Sequence, residues 1–241
     1  MLFLLTGDVQ EGKTRWLTGL VDELKAAGVT CYGMLSPGVW RQMPEEEDGG
    51  VRLEKVGIEM LLLPQGQRLP FATRRDLSGS GLARGQQAQA ETQSHKAGLG
   101  WEIDDEAIRA VNRHLDAVAR MMAADAVADV STEVHAGSTA ALVWETDEGT
   151  SGDLGESSDK GKPGLLVVDE LGILELERDG GFTSAVRLLD EGPVRLEGHA
   201  LAVVRSALLD KALTRFSGVW DEVSVIHPDA ASHDLVVACF T

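Results

Sequence analysis

Eight residues near the start of the chain, Gly7-Asp8-Val9-Gln10-Glu11-Gly12-Lys13-Thr14, have the types and spacing to hold a phosphate chain. They fit the pattern G-x-x-x-x-G-K-[ST], known as Walker A. The glycines let the backbone turn tightly, so that successive N–H groups point inward at phosphate oxygens. Lys13 is expected to reach the β- and γ-phosphates and the Thr14 hydroxyl to ligate Mg²⁺. The nucleotide-binding set is then Gly7, Asp8, Val9, Gln10, Glu11, Gly12, Lys13, Thr14 and Arg15. A second segment complements the first. Gly164-Leu165-Leu166-Val167-Val168-Asp169-Glu170 is an unbroken apolar run ending in two carboxylates. Such a run suits a strand buried on both faces, and in open α/β sheets ligand chemistry gathers at strand carboxyl ends. Asp169 is expected to hold Mg²⁺, directly or through water, and Glu170 to polarise a water for attack on the γ-phosphate. Arg205 ends another apolar run. It is either an arginine supplied in cis to the transition state or a surface or capping residue.

These residues need elements to position them. The apolar run Leu2-Phe3-Leu4-Leu5 before the loop suits a buried parallel strand. After it, Trp16, Leu17, Leu20, Val21 and Leu24 recur at helical spacing through 15–27, with Gly28 where a C-terminal glycine belongs. Strand, glycine-rich loop and helix is the arrangement the motif needs, and the helix N-terminus adds partial positive charge.

With these residues in view, the chain resembles the THEP1-type nucleoside-triphosphatases. The resemblance rests on 5–14, on Met34-Leu35-Ser36-Pro37-Gly38-Val39-Trp40, on the segment from Val167 to Leu176 with its Asp-Glu-x-Gly-x-x-Glu pattern, and on Val203-Val204-Arg205. Residues 51–63 resemble the β-rich segment that follows the family's second strand. The resemblance implies a P-loop, RecA-like three-layer α/β sandwich with a mostly parallel sheet. It also implies Mg²⁺-dependent hydrolysis of the β–γ bond of nucleoside triphosphates with loose base selectivity. Two departures stand inside the loop. Asp8 and Glu11 bring carboxylates to a site for a polyanion, which makes the local potential less favourable even with both side chains turned outward.

Composition sets outer limits. A chain of 241 residues with 43% hydrophobic content is expected to form one α/β domain with a core of ordinary size. Its formal charge of −17 argues against binding nucleic acid or anionic membranes. It also makes the approach of a nucleotide depend on Mg²⁺ and on local charge from Lys13, Arg15 and Arg205. No stretch reaches the ~20 apolar residues of a membrane span. The N-terminus lacks a basic n-region, and a cytoplasmic location is the expectation. Oligomeric state is left open, a monomer included. Cys31 and Cys239 fall in strand-like runs and read as buried thiols. The six histidines show no zinc-ligand spacing with them.

Further along, 29–40 reads as a second strand leading into a loop, and 44–50 as an acidic turn. Residues 51–63 and 68–72 read as strands of a hairpin-like addition spanning about 51–72. Residues 74–100 and 145–163 are polar and poor in large apolar residues, so both are expected to be mobile insertions, the first as a lid over phosphates. Residues 104–125 form an amphipathic helix capped by Asp104 or Asp105. Residues 126–144 are ambiguous, with 140–144 their best strand. Then come a helix at 182–191, a strand at 200–205, a helix at 208–216 capped by Ser206, and strands at 223–227 and 235–240. Strands alternating with helices predict a parallel sheet. Glu175 reads as ordering the loop after Asp169, as joining the Mg²⁺ surroundings, or as facing solvent. Trp40 and Trp101 read as packing residues, with stacking on a base as the alternative. Two other functions stay in play: a nucleotide or small-molecule kinase whose lid carries Arg74, Arg75 and Arg84, and a slow-hydrolysing nucleotide-dependent switch.

Overall fold

A computed structural model describes residues 1–8, 10–44, 51–74, 93, 100–136, 164–195 and 198–240. The described strands form one nine-stranded mixed sheet. Its elements are β1 (Leu2–Leu5), β2 (Cys31–Leu35), β3 (Gly38–Pro44), β4 (Val51–Leu63), β5 (Gln67–Arg74), β6 (Trp101–Ile103), β7 (Leu165–Leu171), β8 (His199–Val204) and β9 (Val223–Ile226). The spatial order is β6-β5-β4-β2-β7-β8-β1-β9, with β3 also on β4. From β2 to β9 all pairings are parallel, whereas β3, β4, β5 and β6 pair antiparallel. The helices are α1 (Lys13–Ala26), α2 (Asp105–Ala136), α3 (Ile173–Glu177), α4 (Thr183–Glu191), α5 (Leu209–Phe216) and α6 (Ala230–Val237). This is a mixed α/β architecture with a mostly parallel core.

The unbroken apolar runs are buried on both faces, as their patterning requires. Leu2 and Leu4 point into one cluster, with Leu166, Val168, Ala200 and Ala202 and with α2, α4 and α5. Phe3 and Leu5 point into the other, with Leu165, Val167, Leu201 and Val203 and with α1 and α6. The period of two along each strand therefore sends alternate residues into separate helical layers. On α2, Ile108, Val111, Leu115, Val118 and Met122 all sit in the first cluster. Asp104 caps that helix, its carboxylate accepting from Glu106 N at 2.8 Å.

Several expectations are corrected. The 29–40 region is two strand segments: the expected loop after β2 is instead a break at Ser36-Pro37, beyond which β3 continues along β4 in the same register, Leu35 opposite Leu61 and Gly38 opposite Ile58. Trp40 thus lies in a strand. Helix α2 continues past Asp125 to Ala136, taking up the first part of the ambiguous stretch. Residues 45–50, 75–92, 94–99 and 137–163, and with them the 140–144 strand and most of the two insertions, lie outside the described residues. Within the first insertion, Gln93 is tied at both ends: its N–H donates to Asp105 and its amide oxygen accepts from Gly181 N. Ser206 does not cap α5; it opens a 3₁₀ turn, Ser206–Leu208, that leads into the helix. The 235–240 run is not a strand. Asp229 caps a helix there, accepting from Ser232 N at 2.8 Å, and Val236 and Phe240, four apart, share the cluster under α1. Cap and i,i+4 burial outweigh the β-branched composition of that run. Cys239 therefore follows a helix, while Cys31 is buried in β2.

Candidate functional site

The glycine-rich loop leaves the carboxyl end of β1 and enters α1. Gly12 is the helix N-cap with φ +83°, a left-handed conformation that glycine adopts without steric cost. Gly7 has φ +152°, which side chains rarely adopt, and a Cβ there would also displace the Glu11 carboxylate, 2.1 Å away. That carboxylate folds back and accepts from Asp8 N at 2.6 Å. The acidic residue inside the loop thus braces the loop's own backbone, and Asp8 and Glu11 are both exposed. Val9 lies outside the described residues, and Gln10 and Arg15 are exposed.

Lys13 is buried, and its ammonium donates to the carbonyls of Gly7 and Asp8, each at 2.7 Å. An ammonium has three donors, so these two contacts leave one over. Helix α1 is held in place by Trp16, whose indole N–H donates to Asp229 O at 2.9 Å.

Thr14 and Asp169 meet across the sheet. The Thr14 hydroxyl donates to Asp169 Oδ1 at 3.3 Å, although 155 positions separate the two in sequence. Ser36 N donates to Asp169 Oδ2 at 3.0 Å. Asp169 is buried. Burial pushes its carboxyl up from the ordinary range, the Ser36 and Thr14 hydrogen bonds pull it down, and the neighbouring Glu170 charge adds to the rise. Among the described residues no group of three His, Cys, Asp or Glu could hold a metal. The donors here are oxygens, a hydroxyl and a carboxylate kept out of water. That suits a hard cation which takes one or two protein ligands and completes its shell with phosphate and water.

Glu170 does not stand free. It pairs with Arg205, just past β8, a strand adjacent to β7. The structure therefore brings Lys13, Thr14, Asp169, Glu170 and Arg205 to the carboxyl ends of β1, β7 and β8. Glu175 takes the first of its three readings. It is buried, and its two oxygens accept from Gly172 N at 2.8 Å and Phe182 N at 2.9 Å, fixing the turn from β7 into α3. Burial raises its carboxyl while those backbone amides hold it down.

Two residues at the site were missed from sequence. Ser36 stood inside a quoted segment, but nothing local marks its N–H as a partner for Asp169. Lys55 comes from β4, and its ammonium lies 5.5 Å from the centre of the Trp101 ring. Burial pushes that ammonium down from the usual lysine range, Asp169 and Glu170 act to raise it, and Arg205 acts with the burial. A lysine in a strand of mixed composition carries no sequence signal for such a place. Trp40 is 54% exposed. Arg74 ends β5 and pairs with Glu54.

No family model matches the chain, and no curated protein or solved structure matches it either. Among the described residues no helix is long and apolar enough to cross a membrane.

Proposed function

We propose that this protein is a Mg²⁺-dependent nucleoside-triphosphatase, splitting the β–γ phosphoanhydride with water on a P-loop, RecA-like fold. The observation that carries the reading is the contact between Thr14 and Asp169. Two motifs far apart in sequence, each assigned to the same cation, converge on one point beside Lys13. The resemblance to THEP1-type nucleoside-triphosphatases supports the same reaction.

The roles follow from position. The remaining N–H of Lys13 meets the bridging and terminal phosphate oxygens. Thr14 and Asp169 would hold Mg²⁺, which would supply charge neutralisation on the phosphates. Ser36 fixes the Asp169 carboxylate in orientation. Glu170 accepts a proton from the attacking water once its pairing with Arg205 loosens, and Arg205 is then free to meet charge on the transferring group. The test is phosphate release from ATP, GTP, CTP and UTP, with Mg²⁺ and with chelator, with and without candidate acceptors. Absence of both release and nucleotide binding refutes the proposal.

One observation favours a second reading, a switch that binds nucleotide and hydrolyses slowly. The carboxylate assigned as base is already engaged by Arg205. A turnover far slower than nucleotide binding would select it. The kinase alternative finds no comparable support: Arg74 is paired within the sheet, and Arg75 and Arg84 lie outside the described residues.

A further inference from the structure

The antiparallel strands are more than an edge. Strand β4 is 13 residues long, and only its last three, Leu61, Leu62 and Leu63, pair with β2. The rest runs on beyond Leu35, the carboxyl end of β2, which is the end of the sheet where Asp169 lies. Lys55 sits on this overhang, paired in register with Trp40 of β3. A short route links it to the site. Ser36 bonds Asp169, and two residues later Gly38 lies against the Lys55 stem: a Cβ on Gly38 would come 2.8 Å from Lys55 Cε. The stem thus runs close over Gly38, where an added side chain would push it aside, and Trp101 flanks the ammonium. Its charged neighbours are Asp169, Glu170 and Arg205.

Charge bookkeeping says what is missing. Lys55 and Arg205 balance Asp169 and Glu170 while no ligand is bound. A divalent cation held by Asp169 and Thr14 would add two positive charges to that balanced set, with Lys13 close by, so the site would need an anion of at least about two charges. A terminal phosphoryl group, with about two negative charges, supplies it.

We propose that Lys55 reads the terminal phosphoryl group and sets the preference of the site for triphosphates over diphosphates. The inference rests on the nucleotide reading above. Lys13 grips the phosphate chain from the loop, and Lys55 meets its far end from the opposite side.

The test is binding, with Mg²⁺, of ADP and AMP-PNP and of GDP and GMP-PNP to the full chain by calorimetry. Lys55→Met keeps the apolar stem beside Gly38 and Trp101 and removes only the charge. It should weaken the triphosphate analogues about 10–100-fold, the scale of a lost charge-assisted hydrogen bond, and leave the diphosphates within about twofold. Lys55→Arg should restore most of the preference. Gly38→Ala, which displaces the stem without touching its charge, should also erode it. An unchanged ratio of triphosphate to diphosphate affinity in Lys55→Met, or an equal loss for both, overturns the inference while the nucleotide reading stands. A wild-type protein that binds none of these nucleotides overturns both.

Discussion

Replacing Glu175 with Ala tests the turn that follows Glu170, from β7 into α3. The Glu175 carboxylate is 6% exposed and satisfies two backbone amides, Gly172 N and Phe182 N. Truncation leaves both donors without an acceptor and opens space beside Gly181, where a Cβ would lie 1.9 Å from Glu175 Oε1. An unsatisfied buried donor costs about 1–3 kcal/mol. Phe182 N is buried and incurs the upper part of that range, while Gly172 N is partly open to water and incurs the lower. Removing a carboxylate that burial itself disfavours returns some of the loss, so the net cost is about 2–4 kcal/mol. For a chain of this size each kcal/mol moves the melting temperature by about 2–4 °C, which gives a fall of about 5–15 °C. Glu175→Gln keeps one acceptor and turns an NH₂ toward the other amide, for about half the effect. Thermal unfolding followed by circular dichroism reads both. A Glu175→Ala protein that melts within 2 °C of wild type would refute the assignment of Glu175 as the brace of this turn.

Lys13→Ala should lower phosphate release by about 10²–10³ or more while the protein still folds, with a lower melting temperature for the lost bonds to the Gly7 and Asp8 carbonyls; wild-type turnover in that variant would sink the P-loop reading. Asp169→Ala should weaken Mg²⁺-nucleotide binding and turnover together, whereas Glu170→Gln should hold nucleotide and slow single-turnover hydrolysis. The partly exposed pair with Arg205 adds about 0–1 kcal/mol, so Glu170→Gln should fold normally, and normal hydrolysis by it would place the base elsewhere. Cys31, buried in β2, has its thiol pushed up to about 11 by burial, with the Lys25 ammonium opposing. Its folded pKa lies above the unfolded one, so its contribution to stability is intact below about pH 8.5 and is lost as pH rises toward 11. At pH 8 a thiol reagent should modify the half-buried Cys239 first and Cys31 only after denaturant is added; equal rates in the native protein would contradict the burial.

The first strand, loop and helix were legible because each is written in consecutive residues. An apolar run, a glycine-rich turn and a 3.6-residue period are local signals, and Leu2–Leu5 and Lys13–Ala26 follow them closely. The Leu165–Leu171 strand with its terminal carboxylates was legible for the same reason. Where local signals compete, sequence alone misjudged. The run ending in Phe240 has strand composition, yet the Asp229 cap and the contact with α1 make it a helix. The roles of Ser36, Lys55 and Glu175 depend on partners delivered by sheet order and by the overhang of β4, and no period or motif encodes them. The same holds for the pairing of Glu170 with Arg205, 35 positions apart. The sequence determined which candidate side chains stand at which spacing and which runs build the two-faced core, because side-chain type and short-range spacing are properties of the chain itself. Tertiary structure decided which of those groups meet and which are already engaged, because contact across a sheet depends on strand order and register, which are settled only when the whole core packs.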